Sequence, residues 1–202
     1  IIFWFVFGLG IRGGAPVDGV PFFLWMLMGL IPWFFISPSM VQGSNSVFQK
    51  ISLVSKMNFP ISILPTVKIV NYFINFLTLI SLLIIILIIN GIYPNIYWIQ
   101  LIYYIFCLIV FIFSFTLLSS TISTLVRDYQ ALLQSTMRML LYMSPILWDT
   151  GMLPSPILEN ILRLNPLFYI ITGFRNSFLG VSWFFSEPIY TLYFWIFTFW
   201  AE

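Results

Sequence analysis

Long apolar runs, interrupted at a few proline-bearing and charged positions, set the layout of this chain. From Ile69 to Val126 there are 58 consecutive residues without Asp, Glu, Lys or Arg. As one helix that run would extend about 87 Å, against roughly 30 Å of bilayer hydrocarbon, so it must fold back on itself. Asn90-Gly91-Ile92-Tyr93-Pro94-Asn95 carries the turn chemistry for that reversal, which predicts spans over 66–89 and 97–121. Upstream, residues 1–11 read as the end of a span, 12–19 as an aqueous loop, and Phe22 to Val41 as a span with kinks expected at Pro32 and Pro38. Arg127-Asp128 returns the chain to water, Ala131 to Trp148 reads as the next span, and Pro188 to Trp200 opens a last one. The chain starts without Met inside one apolar run and stops after another, so both ends read as cut from a longer protein.

Two interruptions have structure of their own. Residues 44–65 form an elbow: Phe48, Ile51 and Val54 fall on one side of a helical wheel, with Gln49, Ser52 and Lys56 opposite. Pro60 pushes Phe59 out of the α region, and Pro65 suits the first turn of the following helix. A plain basic loop that only sets topology would not need this apolar, proline-punctuated pattern. The second interruption is 154–180, where Pro154, Pro156 and Pro166 delimit two helical pieces, 156–164 and 166–178, with Ser155 and Asn165 at N-cap positions. Neither reaches the ~20 residues needed to cross, so together they predict a re-entrant or surface hairpin.

Composition turns this pattern into a class. With 61% hydrophobic and 7% charged residues, the chain has too little polar surface for a soluble globule, and an all-α, polytopic membrane bundle in a single domain over 1–202 is expected. There is no His, and Cys107 sits among Ile, Phe and Leu as a small hydrophobe. A net charge of +2, scattered along the chain, gives no nucleic-acid surface. Gly8, Gly10 and Gly13 match a dinucleotide fingerprint only formally, since Pro16 and Pro21 stand where its helix would open. Lys50, Lys56, Lys68, Arg127 and Arg138 fall to one side, against Arg12, Arg163 and Arg175 on the other. The positive-inside rule then makes the elbow cytosolic and leaves the hairpin outside with Asp149, Glu159 and Glu187.

Phe7-Gly-Leu-Gly-Ile-Arg12, Ala15-Pro-Val-Asp-Gly-Val-Pro21, Pro32-Trp-Phe-Phe35, Val54-Ser-Lys-Met-Asn-Phe-Pro60, Val126-Arg-Asp128, Ser144-Pro-Ile-Leu-Trp148 and Asn165-Pro166 recur in an order that resembles the transmembrane subunit of the wall teichoic acid ABC exporter. That subunit belongs to the wider group of ABC-2 type polysaccharide-export permeases. The resemblance implies six spans in the intact subunit, a cytosolic coupling helix, two permease copies and two ATP-binding-cassette subunits. The implied cargo is an undecaprenyl diphosphate-linked teichoic acid for cell wall assembly, and the implied site is the cytoplasmic membrane of a Gram-positive bacterium. It implies no cofactor on this chain, with ATP and magnesium on the partner ATPase. In agreement, no Gly-x-x-x-x-Gly-Lys-Ser/Thr phosphate loop and no credible catalytic set is present. The alternatives are export of another lipid-linked polysaccharide or of a small drug and, in a different class, a membrane phosphoglycosyl or glycosyl transferase.

With an ATPase implied, Lys56, Met57, Asn58, Phe59 and Pro60 become the candidate coupling knob, apolar at the Phe59-Pro60 bend with Lys56 at its rim. Arg138 is expected about 10 Å into its span. There it either snorkels back to headgroups or faces the cavity, where a planar cation suits the diphosphate of the anchor. The aromatic content of 20% is mostly what lipid-facing rings and interfacial belts require, with Trp33, Phe34 and Phe35 the candidates for stacking on sugar faces. At the outer hairpin, Asn165 and Pro166 mark the joint, while Glu159 and Arg163 sit four apart as a simple helix-stabilising pair. Arg175 is the candidate for meeting the anionic polymer or holding the hairpin closed, with Gly173 and Gly180 expected to let it move.

Overall fold

A computed structural model describes residues 16–17, 19–50, 63–126, 128–149 and 156–200. Among these there are no strands, only helices and their connections. In order they are α1 (Phe22–Gln49), α2 (Ile63–Ile89), a 3-10 turn (Ile96–Ile99), α3 (Gln100–Leu125), α4 (Tyr129–Met143), α5 (Pro156–Arg163), α6 (Pro166–Leu179) and α7 (Pro188–Trp200). Three stretches, 22–49, 63–89 and 96–125, are long and apolar enough to cross a bilayer. The all-α, polytopic membrane architecture expected from the sequence is thus the one observed.

α1 is the axis, packing against α2, α3, α4 and α6. Of its most apolar stretch 72% is buried within the protein, against 44% for 96–125 and 22% for α2. The least apolar of the three is therefore the most enclosed. In lipid that inversion is natural, because tails are as apolar as Leu and helices associate through close packing instead. Small residues serve that packing here: a Cβ added at Gly43 would strike the Thr116 methyl group of α3. Around this seam Ser39, Ser44 and Ser46 of α1 and Ser114, Thr116, Ser119 and Ser123 of α3 are buried. Where bulk is needed, rings supply it. Phe35 of α1 stacks on Phe76 of α2 at 5.2 Å between centroids, and Phe76 meets Phe174 of α6 edge-on at 6.1 Å.

The predicted turn at 90–95 is present and its mechanism is visible. α2 ends on Gly91 at φ 84°, with the Ile92 amide donating to the Leu87 carbonyl at 3.0 Å and the Gly91 amide to Ile88 at 3.1 Å. This is a Schellman closure, which only a residue at ease in the left-handed region permits. Asn95 then caps the 3-10 turn by accepting from the Tyr97 amide. Pro65 lies in the first turn of α2, as expected.

Two boundaries differ from the sequence reading. α1 does not stop near Val41 but continues through Pro32 and Pro38 to Gln49, so the beginning of the 44–65 elbow is helix. The rest of that elbow, including Lys56, Met57, Asn58, Phe59 and Pro60, lies outside the described residues. α4 ends at Met143 rather than Trp148: Ser144 takes extended geometry, and Ser144, Pro145, Ile146 and Leu147 form a buried turn. Pro145 has no amide to continue the helical ladder, and Ser144, as the residue before it, is disfavoured in the α region.

Candidate functional site

α4 runs antiparallel to the second half of α1. The registration is held by Gln130, whose Nε2 donates to the Val41 carbonyl at 2.8 Å while its Oε1 accepts from Ser44 Oγ at 3.3 Å. Leu133 and Met137, four residues apart, are the buried positions of α4. Further along, the two helices part around a cavity of about 340 Å3 between Trp33, Ser37 and Pro38 of α1 and Gln134, Met137 and Arg138 of α4. The cavity joins two residues chosen from sequence for separate reasons, Arg138 and Trp33. Arg138 is exposed, and its Nε donates to the Gln134 carbonyl one turn back at 3.4 Å. Trp33 lines the cavity although it is only 5% exposed. The other two rings of that trio separate by helical geometry. Phe34 points outward, 51% exposed, and Phe35 is enclosed against Phe76, so Phe35 does not line this cavity. Gln130, Gln134 and Met137 were not singled out from sequence. The signal was the i, i+4 spacing of Leu133 and Met137 beside the polar Gln130 and Gln134.

At the other end, α5 and α6 occupy the hairpin predicted for 154–180. Asn165 accepts from the Leu167 amide at 3.0 Å as the N-cap of α6, Pro166 fills the first helical position, and Asn165 Nδ2 donates to Ser144 Oγ at 3.1 Å. The joint is thus tied to the break after α4. Arg163 holds Glu159 at 2.9 Å and Glu187 at 3.0 Å. Burial works against its charge, but the hydrogen bonds and charges of the two carboxylates outweigh that and push its pKa above the ordinary arginine value.

α6 is not a surface lid. Phe168, Ile170, Ile171, Phe174 and Phe178 are buried in the bundle, whereas Ile161 of α5 is 58% exposed. Gly173 lies inside the α6 helix and the Tyr104 ring sits directly upon it, which makes it a close-packing position and not a hinge. Gly180, at φ 70°, is the left-handed cap that ends α6. Arg175 corrects the sequence reading most. It is 5% exposed and turned into the bundle. Its guanidinium donates to the carbonyls of Trp25 at 3.3 Å, Ile146 at 2.8 Å and Pro145, and lies 3.4 Å from the centre of the Trp25 ring. The turn after α4 leaves carbonyls without helical donors, and Arg175 supplies them. Gly29 makes room: a Cβ there would lie 2.6 Å from Arg175 Nη2.

Among curated proteins, the chain is 26% identical over 181 residues to the O-antigen export system permease protein RfbA of Klebsiella pneumoniae, covering 89% of this chain and 68% of that one. It is 24% identical over 195 residues to the protein of the same name from Myxococcus xanthus, covering 95% and 73%. The family description ABC-2 type transporter matches residues 1–179, from the first residue through the end of α6, and the chain belongs to that family.

Proposed function

We propose that this chain is the non-catalytic membrane subunit of an ATP-driven exporter that moves a lipid-linked polysaccharide across the cytoplasmic membrane. Two copies pair with two ATP-binding-cassette subunits, which hold the ATP and magnesium. The names of the relatives support a polysaccharide cargo. The ordered motifs resembling the wall teichoic acid exporter support, more finely, an undecaprenyl diphosphate-linked teichoic acid in a Gram-positive cell wall. The observation that carries the reading is the shared cavity of Arg138 and Trp33. A cation capable of bidentate contacts and an indole in one cavity match a ligand that is phosphate at one end and sugar at the other.

Depletion of the intact subunit is expected to strand lipid-linked polymer on the cytosolic side, and the repeat unit of that polymer decides between teichoic acid and an O-antigen-like glycan. Loss of synthesis without stranded polymer would replace export with a transferase. Drug sensitivity with normal polymer would replace it with small-molecule efflux. At equal expression, Arg138→Gln is expected to lower the export rate about tenfold or more and Arg138→Lys to fall between, as for loss of a charge-assisted phosphate contact. Equal export by all three would leave Arg138 as a headgroup anchor.

The coupling role of Lys56, Met57, Asn58, Phe59 and Pro60 belongs to the same proposal. Phe59→Ala is expected to leave membrane insertion intact while uncoupling ATP hydrolysis from export. Normal coupling in a purified complex would remove Phe59 from the knob. Asn165, Pro166 and the buried Arg175 are assigned to the outer gate as the residues that fix α6 in place.

A further inference from the structure

A second cavity, also of about 340 Å3, opens between α6 and the segment that leads into α7 and shares no lining residue with the cavity of Arg138. Its composition differs from that of the first. Rings of Tyr169, Trp183 and Tyr190 stand on its wall together with the Asn176 amide and the Arg163–Glu187 ion pair. The rings are braced from behind. Trp183 packs on Tyr97 at 5.0 Å and on Phe185 at 5.7 Å, and Arg163 lies 5.0 Å over Tyr190. Tyr169 is fixed by its hydroxyl, which bonds Tyr103 at 3.3 Å and Thr191 at 3.1 Å. Asn176 Nδ2 donates to Ser182 Oγ at 2.9 Å, which orients the amide.

We infer that this cavity is a saccharide-binding subsite on the outer face, taking a short stretch of glycan as it leaves the transporter; the inference rests on the polysaccharide-export reading. Sugars present two surfaces, an apolar face of C–H groups and an equatorial ring of hydroxyls. A site for them needs flat, rigid rings beside donors and acceptors already held in place. Here both kinds occur on one wall. An acyl chain would instead favour an all-apolar slot, and burying it against the Arg163–Glu187 pair and the Asn176 amide would cost their solvation. The volume is near the low end of ligand pockets, about 300–1,000 Å3, which suits a few linked sugar units rather than a folded polymer. The ion pair adds selectivity: Glu187 is 59% exposed at its side chain and still within reach of an incoming hydroxyl or ammonium group.

The test uses the intact transporter in lipid nanodiscs, with delipidated oligosaccharide cut from the host's own lipid-linked polymer as the probe and Trp183 fluorescence or saturation-transfer NMR as the readout. Saturable binding is expected, weakened about tenfold by Tyr190→Ala and by Asn176→Ala. Tyr190→Phe keeps the ring and is expected to bind as the parent does, which separates lost stacking from lost folding. No saturable binding, equal binding by Tyr190→Ala and the parent, or displacement of the oligosaccharide by sugar-free phospholipid vesicles would each overturn the subsite. If depletion strands no polymer yet the oligosaccharide binds here with this variant pattern, the subsite stands and the export reading falls. If polymer is stranded and no binding occurs, the reverse holds.

Discussion

Arg175→Ala is expected to prevent stable assembly of the bundle, and Arg175→Lys to recover only part of it. The guanidinium serves carbonyls in two separate places: Trp25 in α1, and Pro145 with Ile146 in the turn after α4. The Trp25 carbonyl keeps its place in the α1 ladder, but the Pro145 and Ile146 carbonyls lose this donor at about 1–3 kcal/mol each, and the stacking over Trp25 is lost as well. These terms are not additive, but a total above about 3 kcal/mol is a large share of a marginal stability. Lys presents a point charge with three donors on a flexible stem and cannot reproduce a planar fork lying flat on an indole. The measurement is the yield of folded protein in mild detergent and its midpoint of thermal unfolding, with Trp25→Phe as a milder companion that keeps the carbonyl. A parent-like midpoint for Arg175→Ala would show that the contacts are incidental.

The second large effect is expected at Gly173. Added there, a Cβ would fall within the Tyr104 ring, so Gly173→Ala must displace that ring or separate α3 from α6. Tyr104 is only 4% exposed, with rings of Tyr169 at 5.6 Å and Phe174 at 6.3 Å around it, so moving it disturbs both neighbours. Overpacking of this kind costs about 1–3 kcal/mol, more than the gain of about 1 kcal/mol in helix propensity from Gly to Ala. A double-mutant cycle with Tyr104→Ala decides the cause. If the clash is the reason, the double variant is less destabilised than the two single losses added together, by about 0.5–3 kcal/mol. Strict additivity would place the effect of Gly173→Ala elsewhere.

Most of the helical layout was legible because the punctuation is local. Asn90-Gly91 ends α2, Asn165-Pro166 opens α6, and Pro188 opens α7, each through backbone chemistry that needs no knowledge of neighbours. The two misread boundaries fail for complementary reasons. The first span was read to end near Val41, where the sequence turns polar, but buried Gly43, Ser44, Ser46 and Val47 carry α1 on to Gln49. Ser144-Pro145 ends a helix where apolar composition alone predicted continuation. For the site, residue types were readable but their directions were not. Arg138 and Trp33 share a cavity because α4 lies antiparallel on α1, a relation between segments about 100 positions apart that no short window contains. Arg175 looked outward-facing because its acceptors are carbonyls, which every residue has and no sequence pattern distinguishes.

The unequal enclosure of α1 and α2 bears on how freely each can vary. A side chain of α2 whose neighbours are lipid tails is asked only to be apolar, and Ile, Leu, Val and Phe answer equally well. A side chain of α1 is asked for a shape, since Gly29 must clear a guanidinium and Gly43 a threonine methyl. The vocabulary open to α1 is therefore the narrower, although its residues are the less hydrophobic. Among the described residues the demand for shape falls mainly on the helix that hydropathy ranks lowest of the three, and in the Ile- and Leu-rich span beside it that demand is confined to the few positions, such as Phe76 and Leu83, that face the bundle.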